Sequence, residues 1–217
     1  MKPLRILVAD DHEVVRRGAR ALLEAQPGWT VVGEAANGQE AAEQTKKLRP
    51  DVAVLDISMP ELNGLDAARL ILKEVPQTEV LILTMHESEE LMREVLQAGA
   101  KGYVLKSDVG KDLVAATAAL SQHKPYFTTT VAEMVLDGYR QHALPNQQAK
   151  DVPRLSARER QVTQLLAEGK SNKEVAAMLF IGVKTVETHR ANIMRKLNIH
   201  SVSDLVRYAI RNRIVTP

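Results

Sequence analysis

Val52-Ala53-Val54-Leu55-Asp56 is a short apolar run, rich in β-branched residues, that closes on a carboxylate. The same shape recurs in Ile6-Leu7-Val8-Ala9 before Asp10-Asp11, Val80-Leu81-Ile82-Leu83 before Thr84, and Tyr103-Val104-Leu105 before Lys106; Val31-Val32 is a weaker fifth. Runs without polar alternation suit strands buried on both faces, and the segments between them have helical spacing. Helices are expected over Val14–Glu24, Gly38–Leu48, Gly64–Lys73, Ser88–Ala98 and Lys111–Leu120. Five strands alternating with five helices predict an α/β domain with a doubly wound sheet, which right-handed crossovers make parallel.

In such a sheet functional groups gather outside the carboxyl ends of the strands. Asp10, Asp11, Asp56, Thr84 and Lys106 are therefore expected to face one crevice. Three crowded carboxylates repel one another and call for a divalent cation, and all-oxygen ligation favours Mg²⁺ or Mn²⁺. One carboxylate can then attack phosphorus while the cation and Lys106 neutralise the non-bridging oxygens. Taken singly the residues have plainer readings: Asp10-Asp11 as a helix start, Lys106 as a solvated surface lysine, Thr84 as a turn residue. Only the joint pattern favours a site.

The 217 residues are 45% apolar and 3% aromatic, a globular composition. No apolar stretch approaches the ~20 residues that span a bilayer, and Met1-Lys2-Pro3 runs straight into a strand-like segment, so a cytoplasmic protein without a membrane partner is expected. The absence of Cys excludes thiol catalysis and cysteine-ligated metals, and the six His offer no close ligand pair. Charge divides unevenly. Residues 1–124 carry 15 basic and 19 acidic side chains, whereas residues 151–217 carry 12 basic and 6 acidic, which marks the C-terminal piece as the candidate polyanion binder.

Between them, residues 125–150 read as a linker rich in Pro and Gln, with a possible helix over Thr130–Tyr139. Beyond it Ser156/Glu159, Ser171/Glu174 and the weaker Ser201/Asp204 have capping-box spacing and mark three helix starts. Phe180-Ile181-Gly182 makes a tight turn into a longer basic helix, Val183–Leu197. A short helix, a turn and a basic helix form a helix-turn-helix, which places its second helix in the DNA major groove. Val183, Val186, Ile193 and Leu197 recur at core spacing, turning Lys184, Glu187, Thr188, Ala191 and Arg195 outward. An isolated basic helix would more simply be a solvated face; here the turn, the caps and the regional charge agree.

Residues 4–122 resemble the receiver domain of bacterial two-component response regulators in Ala9-Asp10-Asp11-His12, Leu55-Asp56-Ile57-Ser58-Met59-Pro60 with Gly64, Leu83-Thr84 and Gly102-Tyr103-Val104-Leu105-Lys106. The resemblance implies Asp56 as phosphoacceptor, Asp11 as a direct Mg²⁺ ligand, Asp10 as a ligand mainly through water, and the Ser58 backbone carbonyl as another. It also implies that Thr84 and Lys106 bind the phosphoryl oxygens, that Tyr103 changes rotamer with Thr84, and that Ser58 and His86 govern water access, although a plain loop role for His86 competes with that reading. Leu155–Ile214 resembles the four-helix LuxR-type DNA-binding domain in Leu155-Ser156-x-Arg158-Glu159, Gly169–Ala176 and Lys184–Arg190, with Ser201–Arg211 as its dimerisation helix. Gly182 departs from that pattern, standing where the family has a capping Ser.

The combination is similar to a NarL/FixJ-type response regulator. It implies a receiver domain (1–124), a linker (125–150) and a DNA-binding domain (151–217), acting as a transcription factor under a sensor histidine kinase, with operator DNA bound as a homodimer. Lys184, Thr185, Glu187, Thr188, Arg190, Ala191, Arg195 and Lys196 are the expected DNA-binding residues. Two other functions compete. A stand-alone Mg²⁺-dependent phosphatase would place an acid where Ser58 stands and would leave the helix-turn-helix unexplained. A constitutive DNA binder with a vestigial receiver fits poorly with Asp10, Asp11, Asp56, Thr84 and Lys106 all present.

Overall fold

The computed structural model describes residues 3–85, 88–127, 155–212 and 214–215. They belong to two compact units. Most of the expected linker and the whole of its expected helix lie outside the described residues.

The first unit alternates strand and helix: β1 (Leu4–Ala9), α1 (Glu13–Glu24), β2 (Trp29–Ala35), α2 (Gly38–Leu48), β3 (Val52–Asp56), α3 (Gly64–Glu74), β4 (Glu79–Thr84), α4 (Glu89–Ala98), β5 (Gly102–Leu105) and α5 (Val109–Ser121), with a 3-10 turn at Lys106–Asp108. The sheet is parallel throughout, in the order β2-β1-β3-β4-β5. Strand register pairs Ile6 with Val52 and Val54 with Leu81, so Ile6, Val8, Val54, Leu81 and Leu83 share one face, packed with Ala19 and Leu23 of α1 and Leu113, Ala116 and Leu120 of α5. Leu7, Leu55 and Ile82 are equally buried on the other. Each such side chain contributes about 1.5–3 kcal/mol relative to exposure.

The sequence understated β2, which spans seven residues. As an edge strand it leaves Thr30 exposed and Gly33 and Glu34 only partly covered, so its apolar run breaks. Side chains fix the helix starts: Asn37, Asn63 and Ser88 accept hydrogen bonds from the backbone of Glu40, Asp66 and Leu91.

The second unit holds α6 (Ala157–Ala167), α7 (Asn172–Met178), α8 (Val183–Leu197) and α9 (Val202–Arg211). Both expected Ser/Glu capping boxes are complete, and Ser201 accepts from the Asp204 amide. Val162, Leu165, Val175, Val186, Ile193 and Leu205 form its core. One local expectation needs correction, and the turn into α8 shows how the expected N-cap Gly182 is reached. Val183 is 38% exposed because it opens α8 at the rim of a cleft that Leu166 and Val202 also line. The turn into α8 takes its left-handed residue from Phe180, at φ 52°, while Gly182 is an extended N-cap at φ −69°.

Candidate functional site

Register brings the strand ends level. Ala9 pairs with Leu55, Asp56 with Leu83 and Thr84 with Leu105, so the residues at or just beyond these ends emerge along one edge. Asp10, Asp56 and Thr84 are buried, and the Lys106 side chain is only 8% exposed. Its ammonium lies 2.8 Å from Asp10 Oδ2 and 3.0 Å from Asp56 Oδ2. Lys106 is thus not a solvated surface lysine.

Nor do Asp10 and Asp11 cap a helix. The N-cap of α1 is His12, whose amide donates to Asp10 Oδ1 at 2.8 Å. Arg16, which sequence reasoning passed over, holds the turn from behind by donating to the Asp10 carbonyl at 2.7 Å. Gly64, which the sequence motif contained, shows here why it is there. A Cβ there would stand 2.0 Å from the Asp56 carbonyl oxygen, and the Gly64 amide donates to the Ile57 carbonyl at 2.9 Å. The start of α3 can therefore press directly on the strand end that carries Asp56.

Burial pushes the Asp56 carboxyl above the ordinary carboxylate range; Lys106 pulls it back, and Asp10 adds to the upward push. Burial disfavours the Lys106 charge, but the summed attraction of the two carboxylates prevails and raises its pKa. Two buried carboxylates thus share one cation. Asp10 Oδ2 and Asp56 Oδ2 face that ammonium and have no further hydrogen-bond donor among the described residues, which leaves acceptor capacity for another positive group. Ligand atoms of Asp10, Asp11, His12 and Asp56 lie within 4.8 Å of one another. The cluster is compatible with Mg²⁺. Ser58 is exposed beside Asp56, Tyr103 is buried in β5, and His86 lies outside the described residues.

On the second unit, Lys184, Thr185, Glu187, Thr188, Ala191, Arg195 and Lys196 are exposed on α8 and Arg190 is half-buried. Lys184 Nζ pairs with Glu187 Oε2 at 3.2 Å, and the Thr188 hydroxyl donates to the Lys184 carbonyl at 2.9 Å. Lys196 is engaged within its own domain: Nζ lies 2.7 Å from Oε2 of Glu159, the capping-box acid of α6. The capping box disclosed Glu159, but its second partner is 37 residues away and carried no local signal.

Residues 6–118 match the family described as response regulator receiver domain, and residues 153–209 the bacterial regulatory proteins of the luxR family. The chain is 37% identical to the oxygen regulatory protein NreC of Staphylococcus carnosus over 98% of this chain and 99% of that one. It is also 37% identical to the transcriptional regulatory protein LiaR of Bacillus subtilis, with the same coverage. A solved structure of the two-component response regulator RcsB–DNA complex superposes with a TM-score of 0.57 at 28% identity, covering 95% of this chain and 98% of that one. No helix among the described residues is long and apolar enough to cross a membrane. The chain therefore belongs to the two-component response regulators, as a transcription regulator with a receiver domain and a LuxR-type DNA-binding domain.

Proposed function

We propose that Asp56 is the phosphoacceptor and that its phosphorylation by a sensor histidine kinase controls DNA binding. The observation that carries this reading is the convergence of Asp56, Asp10 and Lys106, with both Lys106 contacts at 3.0 Å or less. An Asp56 oxygen attacks the phosphorus of a phosphohistidine; the P–N bond breaks and the imidazole leaves with a proton. Lys106, 3.0 Å from Asp56 Oδ2, would neutralise the negative oxygens of the transferred group, and Thr84, at the end of the neighbouring strand, would hydrogen-bond one of them. Asp10, Asp11, Asp56 and the Ser58 backbone carbonyl would hold Mg²⁺, or Mn²⁺, which supplies charge neutralisation for the phosphoryl oxygens. Tyr103 is the aromatic that follows Thr84 in the switch.

The receiver is assigned to residues 1–124, the linker to 125–150 and the DNA-binding domain to 151–217. Within the last, α8 reads operator DNA. Lys184, Arg190, Arg195 and Lys196 position phosphates, Glu187, Thr188 and Ala191 lie toward the bases, and Thr185 is a further DNA-binding residue. A homodimer would present two such helices to two half-sites in the cytoplasm; the RcsB structure, solved with DNA, supports a DNA-bound form. The receiver also catalyses its own phosphorylation from small donors and its own dephosphorylation.

Intact-mass measurement with a small-molecule phosphodonor and Mg²⁺ tests the assignment. The parent protein gains one phosphate and Asp56→Asn gains none; a full phosphate on Asp56→Asn would sink it.

A further inference from the structure

We propose that His123 is a proton-sensitive clasp: the charge on its imidazole sets how firmly the chain leaving the receiver is held to the starts of β4 and β5, and with it how strongly the state of the receiver reaches the DNA-binding domain. The second half rests on the phosphorylation control proposed above.

The backbone does not call for a histidine here. α5 closes in a turn where the Lys124 amide donates to the Ala119 carbonyl at 3.0 Å and the His123 amide to the Leu120 carbonyl at 2.8 Å. Such a turn passes through the left-handed region, at φ 59° for His123, and glycine is the usual residue for it. α4 and α6 close with the same pair of bonds on Gly99 and Gly169, at φ 88° and 84°. Phe180, which closes α7 likewise, is 90% exposed, whereas the His123 ring finds a partner.

That partner is Glu79, at the start of β4. His123 Nδ1 lies 2.7 Å from its Oε1, and the Glu79 side chain is only 9% exposed. Lys101 Nζ reaches the same oxygen at 2.9 Å, and the Lys101 carbonyl accepts the Tyr126 amide, also at 2.9 Å. Contacts thus run from His123 through Glu79 and Lys101 to Tyr126, three residues further on. The segment leaving α5 is pinned to the sheet at both of its ends.

A carboxylate oxygen only accepts, so Nδ1 carries a proton in either charge state and the second proton goes to Nε2, on a ring that is 74% exposed. Titration therefore keeps the contact and adds a full charge to its donor. Burial pushes the Glu79 carboxyl up, but the hydrogen bonds and charges of His123 and Lys101 outweigh it and hold it below the ordinary range, so it stays ionised where histidines titrate. Lys101 repels a charged ring. Both donors approach one oxygen, however, and stand farther from each other than from it, so attraction prevails. The remaining charged groups nearby are Asp51, which shares with Glu79 and His123 the wall of a cavity of about 420 Å³, Lys124, turned to Gln122 at 3.1 Å, and Asp112, bonded to the Tyr126 hydroxyl. A histidine facing an ionised partner stabilises the folded arrangement fully at low pH, and that stabilisation fades as pH rises through its titration. The clasp is therefore tighter near pH 6 than near pH 8.

The test follows the exit segment directly, in the full-length chain and without phosphate. Hydrogen exchange of the Tyr126 amide is measured by NMR near pH 6 and near pH 8, as protection relative to the unfolded rate, for the parent, His123→Gly and Glu79→Gln. Protection in the parent should be about two- to fivefold higher near pH 6, the reach of a partly exposed ion pair. His123→Gly keeps the turn, removes the ring and should lose that difference, and Glu79→Gln should lose most of it. The other histidines are common to the parent and His123→Gly, so what separates these two belongs to this ring. Equal protection at both pH values in the parent, or a difference that survives in His123→Gly, would overturn the clasp. A second arm loads the receiver with Mg²⁺ and beryllium fluoride, a phosphoryl mimic, and titrates a selected operator at both pH values. The gain in affinity should be larger near pH 6 in the parent, by a similar factor, and equal at both in His123→Gly. A gain that does not vary with pH in the parent would overturn the link to DNA binding. No gain at either pH, beside intact proton-dependent protection, would remove the phosphorylation reading and leave the clasp standing.

Discussion

The backbone N–H of Tyr103 donates to the carbonyl of Tyr126 at 3.1 Å, and the Tyr126 N–H donates to the Lys101 carbonyl at 2.9 Å. Residues just beyond α5 thereby add a parallel bridge to the free edge of β5, at Gly102–Tyr126. The Tyr126 ring packs on the core beneath the sheet, and its hydroxyl hydrogen-bonds Asp112 of α5; burial, then that carboxylate, raises its pKa. The chain therefore leaves the receiver attached to the strand that bears Tyr103.

This attachment predicts a separation of labelling from response. Tyr126→Pro removes the amide that reaches Lys101 but leaves Asp56 and Lys106 alone. It should accept phosphate like the parent while losing most of the phosphorylation-dependent gain in DNA affinity, a coupling typically worth ~1–3 kcal/mol. Tyr126→Phe, which keeps the bridge, should respond nearly normally. A full response from Tyr126→Pro in a DNA titration would show that the bridge carries no signal.

Gly64 and Gly18 form an internal comparison. An added Cβ at Gly64 meets the Asp56 carbonyl oxygen at 2.0 Å and Ile57 Cα at 3.1 Å, both backbone atoms that cannot swing aside. Gly64→Ala should destabilise the receiver by about 1–3 kcal/mol and slow Asp56 labelling, because relief of the clash moves the strand end. Gly18, exposed within α1, has nothing within 4 Å of such a Cβ, so Gly18→Ala should stabilise by roughly 0.5–1 kcal/mol. Thermal unfolding of the two variants should move in opposite directions.

These residues also show what was legible in the sequence. Buried strands advertise themselves as unbroken apolar runs, and strand ends in a parallel sheet must converge, so Asp10, Asp56, Thr84 and Lys106 followed from local pattern and topology alone. Gly64 stood in the motif without its reason, which is a backbone approach visible only in three dimensions. Arg16 and the second partner of Glu159 were hidden for a related cause: each acts through a tertiary contact to which its neighbours in sequence give no periodic signal. Phe180 gave no sign of its left-handed backbone, a conformation that favours glycine but is taken here by a bulky residue.

The Glu159–Lys196 pair gives the second unit an acid limit. Burial pushes the Glu159 carboxyl up, but the Lys196 ammonium and the Ser156 hydroxyl and amide outweigh it and hold its pKa below the ordinary range of a glutamate. A depressed pKa in the folded state contributes stability that is present above the unfolded value and is lost as pH falls through the folded one. The domain should keep this contribution from neutrality to about pH 4.5 and lose it below. Glu159→Gln should flatten that acid limb and cost about 1 kcal/mol or less at neutral pH, since Lys196 is partly solvated. Unfolding followed from pH 7 to 3 checks both. An acid limb unchanged in Glu159→Gln would mean that another carboxylate sets it.

Thr188 allows a sharper test of how α8 faces DNA. Its hydroxyl is occupied, donating to the Lys184 carbonyl one turn back at 2.9 Å, so the methyl is the part of this exposed side chain left for a base. A methyl contributes apolar contact, and the natural target in the major groove is the thymine methyl. Thr188→Val keeps a β-branched methyl and should preserve base preference; Thr188→Ser keeps the hydroxyl, loses the methyl and should relax preference at one position by ~1 kcal/mol, about fivefold. Neither change touches a charge, so the slope of log affinity against log salt should stay constant. Lys184→Ala should instead lower that slope by roughly two units per dimer, at ~0.9 per phosphate, with base preference unchanged. Lys196→Ala should lower it less, because Glu159 already compensates that charge. Titrations of a selected operator and its single-base variants at several salt concentrations separate these outcomes. A Thr188→Val variant with altered preference, beside a Thr188→Ser variant that behaves like the parent, would return the contact to the hydroxyl and reject the methyl reading.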